Sequence, residues 1–388
     1  MKKTTSNIEG IIVIGGNHHN TLGVIRSLGY KGIYSNLILV SDVVNPYVAK
    51  SKYINHYYQV SSDNEAIQLL VEIKKQIAGR CVIIACSDGS SSALDLNKDI
   101  LCDKYVLPSS RKQGAVTHFM NKELMSRLGE SVGFNVPQSW VVESVDDITD
   151  VTYPCISKPI LSKDGLKADI RICSSREELE KLLLEGSCYK YQVQEYIDKD
   201  FEYQLIGLSL NDGDHIVIPG VSLCIRPCPR TNTGFLKYLP ITAFDTPLKE
   251  CQDFVKTVAY SGLFSIEFLR GKDGFDYFME MNFRNDGNAV CVTASGVNLP
   301  YIWYLECLGK DATDEINKTM SNLKPVYVMP EFDDFFCYVH KGKLSFVRWL
   351  IDLYKTDKFM EFDQRDIKPF LSLFISKIVE KWHKTFKN

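Results

Sequence analysis

The chain has 388 residues, of which 45% are hydrophobic, 24% are charged and 11% are aromatic. At roughly 150 residues per domain, this length predicts two or three packed units. The balance of 45 Lys and Arg against 48 Asp and Glu gives a formal net charge of -3. This charge argues against nucleic acid as the main partner, because such proteins usually have a basic excess. The apolar content excludes a disordered chain.

The cysteines and the N-terminal sequence indicate the cellular compartment. The 12 cysteines lie mostly inside apolar runs and form no CxxC pair, so we expect them to be reduced core residues. The first apolar run, at 11–14, is too short for a signal-peptide core. No stretch reaches the roughly 18 apolar residues of a membrane span. We therefore expect a cytoplasmic protein, in which thiols stay reduced.

Residues 1–110 alternate apolar strands with helical patterns. Buried strands are predicted at 11–14, 37–40 and 82–85, and helices are predicted after the first strand and over 63–78. Strands alternating with helices predict a parallel sheet with right-handed crossovers. This part of the chain is therefore expected to form a Rossmann-like domain.

A glycine turn, Gly15-Gly16, follows the first strand and leads into Asn17-His18-His19. Such turns often hold phosphate, but the GxGxxG pattern and an acidic residue for a ribose are missing. Three interpretations remain open. The turn binds a dinucleotide, it supports a substrate pocket through Asn17, His18 and His19, or it is purely structural.

The pattern changes beyond residue 110. A helix begins at Lys122 and stops at Gly133, a short strand covers 154–159, and a second helix covers 176–185. Further strands are predicted at 191–197, 201–210, 215–225, 263–268 and 275–283. This succession indicates an α+β region and not a second parallel sheet.

A predicted hairpin within this region carries the strongest chemical signal. Asp273-Gly274 between two apolar runs predicts a two-residue type I′ turn. With Lys272 opposite Phe275, counting back along the strands puts Glu267 directly opposite Glu280. Successive side chains of a strand point to opposite faces of the sheet. One face of the second strand is therefore predicted to carry Phe275, Tyr277, Met279, Met281 and Phe283. The other face is predicted to carry Asp276, Phe278, Glu280, Asn282 and Arg284.

The facing carboxylates of Glu267 and Glu280 would repel each other and weaken the sheet. A divalent cation removes this conflict, and the oxygens of Glu267, Glu280 and Asn282 are ligands that Mg²⁺ accepts. Arg284, one step further, would reach a phosphate or a developing oxyanion. The alternative is a solvated polar face on an antiparallel sheet.

The order of the motifs resembles the ATP-grasp ligases over about 110–310, and residues 1–110 match the domain that usually precedes that fold. The motifs are Lys122 at a helix start, Lys158 in Ser-Lys-Pro, Gln194-Glu195-Tyr196-Ile197 with Glu202 soon after, Glu267, and Glu280-x-Asn282-x-Arg284. Within the superfamily, the chain most resembles the D-aspartate ligase-like carboxylate–amine ligases. The residues that carry this narrower resemblance are Asn282-Phe283-Arg284-Asn285, Arg348-Trp349-Leu350, and Asp366 near Pro369.

The resemblance implies a role for each motif. Lys122 and Lys158 would bind the α- and β-phosphates of ATP. The backbone of Glu195, Tyr196 and Ile197 would meet adenine, and Glu202, or Asp200 in its place, would bind the ribose. Mg²⁺, or Mn²⁺ in its place, would lie on Glu267, Glu280 and Asn282, while Arg284 would stabilise the acyl phosphate and the oxyanion. The loop Ser162-Lys163-Asp164-Gly165 would cover the γ-phosphate. Because the loop has one glycine, the side chain of Lys163 would contact the phosphate in place of backbone amides.

The resemblance also implies an organisation and a reaction. The expected parts are a Rossmann-like domain at 1–110, a small lobe at 111–190, a large lobe with the metal site at 191–325 and a mostly helical extension at 326–388. The enzyme would join a small-molecule carboxylate to an amine through an acyl phosphate, releasing ADP and phosphate, and a homodimer is expected. The alternatives are an enzyme that activates bicarbonate or another acid, as in carbamoyl-phosphate synthase or biotin carboxylase, and a non-catalytic nucleotide-binding regulator.

Two further groups of residues are candidates for substrate binding. Arg226, Arg230 and Lys237 form either a basic patch for an acyl phosphate or acidic substrate, or a solvated loop. The acid or amine pocket is expected between the N-terminal domain and the loop after Arg284, with the candidates Asn288, Thr293 and Ser295.

The C-terminal segment is predicted to be an amphipathic helix. One face carries Phe370, Leu371, Phe374, Ile375, Ile378, Val379, Trp382 and Phe386, while Lys377, Lys381 and Lys384 lie elsewhere. This helix either packs on the body of the protein or lies in a membrane surface.

Overall fold

The structure is a computed structural model that describes residues 10–159, 170–185, 190–228, 233–321 and 323–386. Three sheets of five, four and nine strands, with helices packed on them, form the described part of the chain. This mixture of a parallel sheet with antiparallel and mixed ones confirms the predicted fold class. Among the described residues, no helix combines the length and the apolarity needed to span a lipid bilayer.

The first sheet is parallel throughout, with the strand order β3-β2-β1-β4-β5. Its strands are β1 (Ile11–Gly15), β2 (Ser35–Val40), β3 (Ile54–Val60), β4 (Cys81–Ala85) and β5 (Tyr105–Val106), and its helices are α1 (His19–Gly29), α2 (Asp63–Ile73), α3 (Asp88–Leu96) and α4 (Lys98–Leu101). Strands β1 and β4 are fully buried, as in parallel sheets covered on both faces. The sequence interpretation missed β3, because this edge strand is polar and only half-buried.

The second sheet is antiparallel, with the order β7-β10-β8-β9. The elements of this region are β6 (Ser109–Ser110), α5 (Ala115–Phe119), α6 (Lys122–Val132), β7 (Ser139–Val142), β8 (Cys155–Pro159), β9 (Arg171–Cys173), α7 (Arg176–Glu185) and β10 (Tyr191–Glu195). Helix α6 begins at Lys122 because the Asn121 side chain accepts bonds from the backbone of Glu123 and Leu124. It ends at Gly133, whose φ of +102° is left-handed.

The third sheet has the strand order β16-β15-β11-β13-β14-β17-β18, with β12 and β6 attached at its sides. Its region contains β11 (Lys199–Leu210), β12 (His215–Val217), β13 (Gly220–Pro227), β14 (Gly234–Pro240), α8 (Leu248–Val258), β15 (Tyr260–Gly271), β16 (Asp276–Asn282), α9 (Val290–Ser295), α10 (Leu299–Cys307), α11 (Thr313–Ser321) and β17 (Val326–Met329). Helices α6 and α8 cover one face through an aromatic core, in which the rings of Phe134 and Phe278 stack at 4.8 Å.

The chain after β17 is mostly helical. It forms α12 (Glu331–Asp334), a π-helical turn (Phe335–Val339), α13 (Phe346–Lys355), β18 (Lys358–Phe359) and α14 (Ile367–Phe386). Strand β17, however, pairs with β14, and β18 pairs with β17. The segment beyond 326 therefore begins as part of the third sheet.

The turn between β15 and β16 differs from the predicted two-residue type I′ turn. Gly271 N donates to Phe275 O at 2.9 Å and Gly274 N donates to Gly271 O at 3.0 Å, so three residues close the hairpin. Gly274 has a φ of +87°, which is typical of a type I turn followed by a left-handed glycine. The strands consequently leave the turn one residue out of the predicted register.

A β-bulge at Met279 cancels this offset. Phe268 pairs with Phe278, but the next residue, Glu267, pairs with Glu280. The predicted pair of glutamates is therefore present, although two departures from the expected geometry produce it. The bulge also exchanges two side chains between the faces, since Phe278 is buried in the core while Met279 lines a cavity. The predicted faces of Phe278 and Met279 were wrong for this reason.

Candidate active site

A cavity of about 550 Å³ lies between the second and third sheets. Its wall contains seven of the ten predicted site residues, namely Lys122, Lys158, Glu202, Glu267, Glu280, Asn282 and Arg284. The other three, Glu195, Tyr196 and Ile197, are at the end of β10 and just beyond it and do not line this cavity. The amides of Glu195 and Tyr196 donate to Gln138 O and Pro154 O, respectively.

Two lysines approach the cavity from the small antiparallel sheet and from helix α6. Lys158 on β8 donates from Nζ to Gln194 Oε1 at 2.8 Å. Burial and, as a smaller effect, the charge of Lys122 together lower the pKa of Lys158 to about 8, against the opposing effect of Glu280 and Glu267. A bound anion near the two lysines would favour their charged forms and so offset the effects of burial and of their mutual repulsion.

Two carboxylates from the β15–β16 hairpin lie in the same cavity. Glu267 Oε1 accepts from Gln204 Nε2 at 2.9 Å and from Asn282 Nδ2 at 3.1 Å. Burial raises the pKa of Glu267 well above its usual range, and the charges of Glu280 and Asp286 act in the same direction. A cation beside Glu267 and Glu280 would stabilise their charged forms.

Arg284 follows β16 and is held on three sides. Its Nε lies 3.1 Å from Asp88 Oδ1, its Nη1 lies 3.0 Å from Asp286 Oδ2, and its Nη2 donates to Asn282 Oδ1 at 3.0 Å. Burial opposes the charge of Arg284, but these carboxylates and Glu267 outweigh it and raise the pKa of the guanidinium. The arginine is therefore a fixed cation at the edge of the cavity.

The loop after Arg284 closes a hydrogen-bond network around the glutamates. Asp286 Oδ2 accepts from Ser265 Oγ at 2.9 Å, and its Oδ1 accepts from Asn288 N at 2.8 Å. Asn288 Nδ2 in turn donates to Gln204 Oε1 at 2.7 Å, and Gln204 is bonded to Glu267. These contacts position the carboxylate of Glu267.

The residues fit a hard divalent cation. Glu267 Oε1 is used by two amides, which leaves Oε2 for a ligand, and Asn282 Oδ1 accepts one bond of the two that an amide oxygen can take. No group of three or more His, Cys, Asp or Glu side chains in the described ranges has an arrangement suited to a metal ion. The candidate set consists of two carboxylates and one amide.

Sequence comparisons with known proteins match part of the chain. No protein-family model matches the chain. A formate-dependent phosphoribosylglycinamide formyltransferase from Wolinella succinogenes is 27% identical over 195 residues, which are 46% of this chain and 47% of that protein. The chain thus matches about half the length of this curated relative.

Solved structures match over most of the chain. An L-amino acid ligase from Bacillus licheniformis superposes with a TM-score of 0.62 and 15% identity, over 83% of this chain and 79% of the ligase. The biotin carboxylase domain of the Hydrogenobacter thermophilus 2-oxoglutarate carboxylase, solved with ADP, magnesium ADP and bicarbonate, gives a TM-score of 0.61 and 16% identity, over 82% and 74%. The chain has the ATP-grasp fold.

Within the ATP-grasp fold of this chain, the two ribose candidates differ in position. Glu202 lines the cavity and forms an ion pair with Lys199 at 2.6 Å. Asp200 is exposed and does not line it. The geometry therefore favours Glu202 for any contact with a ligand in the cavity.

The predicted basic patch is not a substrate site at Arg226. Its guanidinium forms ion pairs at 2.8 Å with both Asp334 and Asp352, so its charge is used to attach the C-terminal segment. Lys237 lies over the ring of Tyr327. Arg230 and the loop Ser162-Lys163-Asp164-Gly165 lie outside the described residues.

The substrate candidates after Arg284 separate in the structure. Asn288 lines the cavity. Thr293 instead bonds to Ser27 at 2.9 Å and lines a second cavity of about 290 Å³. Ser295 is buried and donates to Val292 O. Only Asn288 is therefore placed to meet a ligand beside Glu267.

The glycine turn after β1 has no room for a side chain at its first glycine. A Cβ on Gly15 would lie 2.4 Å from Thr21 Oγ1. Asn17 accepts from Val48 N, and His18 accepts from Asn20 N at the start of α1. Burial, followed by the charge of His18, lowers the pKa of His19.

Asn20, which follows His19, connects this turn to the candidate site. Asn20 Nδ2 donates to Asn285 O at 2.8 Å, and Asn285 Nδ2 donates back to Asn20 Oδ1 at 2.6 Å. Sequence reasoning missed Asn20, Asp88 and Asp286. The available signal for Asn20 and Asp88 was their position after the parallel strands β1 and β4, since polar residues at the carboxyl ends of such strands gather at one edge of the sheet.

Proposed function

We propose that this protein is an ATP-dependent carboxylate–amine ligase that forms an amide bond through an acyl phosphate. The observation that carries the proposal is the pair Glu267 and Glu280, facing each other beside Arg284 in a cavity that also holds two lysines. Cations on one wall and carboxylates on the other suit a polyphosphate with a bridging divalent cation.

ATP would lie along this cavity. Lys122 and Lys158 would bind the α- and β-phosphates, and Glu202 would accept hydrogen bonds from the ribose. The contact of adenine with the backbone of Glu195, Tyr196 and Ile197 stays a prediction, and it would lie beyond the wall of this cavity, at the end of β10. Phosphate binding would hold the proton on Lys158, since an adjacent anion opposes the burial that lowers its pKa.

The cation of the proposed site is Mg²⁺, held by Glu267, Glu280 and Asn282, and the magnesium ADP in the biotin carboxylase relative supports this choice. Mn²⁺ accepts the same oxygen ligands and stays a prediction. When bound, the ion would neutralise charge on the phosphates.

The reaction would proceed in two displacements. A substrate carboxylate oxygen attacks the γ-phosphorus of ATP, the bond to the β–γ bridging oxygen breaks, and ADP leaves. The amine nitrogen then attacks the acyl carbon, the carbon–oxygen bond to phosphate breaks, and phosphate and a proton are released. Arg284 would stabilise the acyl phosphate and the tetrahedral oxyanion. No side chain is required as a covalent nucleophile.

The narrower assignment concerns the substrates. The resemblance to D-aspartate ligase-like enzymes and the fold similarity to an L-amino acid ligase support amino acids or related small molecules as the acid and the amine. A dimer and a cytoplasmic location belong to the same proposal.

A second candidate function is the activation of bicarbonate or another acid without an amine, which the biotin carboxylase relative with bound bicarbonate favours. A third candidate function is that of a non-catalytic regulator that binds a nucleotide. These functions differ in the products that they release from ATP.

Product analysis distinguishes the candidates. A screen of carboxylates and amines, including amino acids and amino sugars, should give ADP and phosphate only when both an acid and an amine are present. Turnover with bicarbonate alone would favour the second candidate. ATP binding without turnover would favour the regulator, and AMP formation would contradict the ligase.

A paired substitution tests the site itself. Glu280→Gln should abolish Mg²⁺-dependent turnover and leave the fold intact. The matched control is Glu143→Gln, because Glu143 is an exposed carboxylate paired with Lys190 away from the cavity. Retained activity in Glu280→Gln would refute the metal assignment.

A further inference from the structure

Two C-terminal helices expose apolar side chains to solvent. Of the 23 large hydrophobic side chains exposed in the described part of the chain, 11 lie between residues 346 and 379. They are Phe346, Val347, Leu350, Ile351, Tyr354, Phe362, Leu371, Phe374, Ile375, Ile378 and Val379. This concentration in less than a tenth of the chain is unusual, because exposed apolar residues are ordinarily scattered singly, and it favours a role in interaction.

Helix α13 is attached to the protein by a charged residue on its inner side. Asp352 is buried and forms an ion pair with Arg226 at 2.8 Å. The outer side carries Val347, which is 68% exposed, and Tyr354, which is 92% exposed. An ordinary surface helix buries its apolar side against the protein, whereas this helix exposes apolar side chains to solvent.

Helix α14 is attached in a similar way. Lys377 Nζ lies 3.5 Å from Asp333 and also lies over the ring of Phe332. The exposed stripe at Leu371, Ile375 and Ile378 has helical spacing, and Ile375 is 60% exposed. The sequence continues this spacing with Trp382 and Phe386.

The exposed charges around these helices are mostly positive. Between residues 340 and 379 the exposed cations are Lys341, Lys343, Arg348, Lys355, Arg365 and Lys368, whereas the exposed acidic residue is Asp357. The other acidic residues of this segment are buried, namely Asp352, Glu361, Asp363 and Asp366. A chain with a net charge of -3 thus presents a locally cationic surface beside an apolar one.

We propose that helices α13 and α14 dock on the surface of a lipid bilayer with anionic headgroups. Aliphatic and aromatic side chains would enter the boundary between headgroups and acyl chains, and the surrounding lysines and arginines would meet the headgroup charges. The cationic border is what favours a lipid surface over a second copy of the chain, since two copies would bring these cations together. This inference does not depend on the proposed ligase activity.

Vesicle sedimentation with the full chain tests the proposal. We expect binding to phosphatidylcholine vesicles that contain about 30% phosphatidylglycerol, and binding at least about tenfold weaker to phosphatidylcholine alone. Lys341→Gln, Lys343→Gln and Lys355→Gln together should weaken binding to the anionic vesicles at least about tenfold. Equal binding to both kinds of vesicle would overturn the role of the charges.

A second variant tests the apolar side. Ile375→Asp combined with Ile378→Asp should lower binding to anionic vesicles at least about tenfold, whereas Leu184→Asp, which changes an exposed leucine on α7, should not. Circular dichroism should report the same melting temperature for both variants. Absence of vesicle binding by the unmodified chain would overturn the proposal. A dimer that the double variant dissociates, without vesicle binding, would overturn it in favour of a second copy.

Discussion

Arg284 Nε lies 3.1 Å from Asp88 Oδ1, so a carboxylate at the start of helix α3 holds an arginine that follows strand β16. The two residues are 196 positions apart in the chain. This contact joins the N-terminal parallel sheet to the candidate active site. It also fixes the orientation of the guanidinium that would stabilise an acyl phosphate.

Asp88→Asn is expected to lower kcat while it leaves KM for ATP nearly unchanged. The Asp88 side chain is half exposed, and Arg284 keeps its contacts with Asp286 and Asn282 in the variant. The decrease in kcat should therefore be moderate, roughly three- to tenfold. Steady-state kinetics with Asp103→Asn as the control would measure it, since Asp103 pairs with Lys74 at the surface. An unchanged kcat would show that Asp88 does not position Arg284 for the reaction.

The affinity for ATP should fall as the pH rises through about 8. Burial, followed by the charge of Lys122, lowers the pKa of Lys158 to about 8. The neutral amine above this pH would lose its attraction for phosphate, and bound phosphate would shift the transition upward. Measurement of KM for ATP between pH 7 and 10 would follow this change. In Lys158→Arg the alkaline change should disappear, because a guanidinium keeps its charge; a persistent change would assign it to another group.

Glu267→Gln should stabilise the protein in the absence of divalent cations and abolish catalysis. The pKa of Glu267 is raised by burial and by Glu280 and Asp286, so its ionised form disfavours the folded state. In the unmodified chain this contribution therefore lowers stability as the pH rises above the ordinary carboxyl range. The amide avoids the repulsion, and we expect a gain of about 1 kcal/mol in the free energy of unfolding at neutral pH.

Urea denaturation with and without Mg²⁺ checks the prediction for Glu267→Gln. Added Mg²⁺ should stabilise the unmodified protein and have little effect on the variant. If the variant were less stable than the unmodified protein without Mg²⁺, the carboxylate pair would not be a source of strain.

Arg226→Met should destabilise the fold severely. It would leave Asp334 buried without its cation and Asp352 with the longer ion pair to the exposed Arg348, at a cost of about 3–5 kcal/mol in the free energy of unfolding. Arg111→Met is the matched control, because its ion pair with Asp212 is exposed, and its effect should stay within about 0.5 kcal/mol. Thermal denaturation measures both. Equal effects of the two changes would contradict the structural role of Arg226.

Local patterns determined much of the fold and of the candidate site. The capping residue Asn121 and the stop at Gly133 define helix α6 within a few neighbouring residues, and the buried strands of the first sheet are visible as apolar runs. Glu267 and Glu280 belong to one hairpin, and their predicted pairing was correct because the longer turn and the bulge at Met279 cancel each other in the register. Each of these features depends on interactions between residues that are close in the chain.

Other features depend on which distant segments meet. The bulge at Met279 moved Phe278 into the aromatic core with Phe134, and no local pattern marked it. The aspartates that hold Arg226, at positions 334 and 352, are likewise remote from it in the chain.

The amino-acid sequence by itself therefore determined the order of the elements and the chemical character of the site. The tertiary structure decided the partners of Arg284 and Arg226, the faces of Phe278 and Met279, and the outward direction of the apolar side of α14. The physical reason is that hydrophobic periodicity shows which side of a helix is apolar. What packs against that side depends on residues that are distant in the chain.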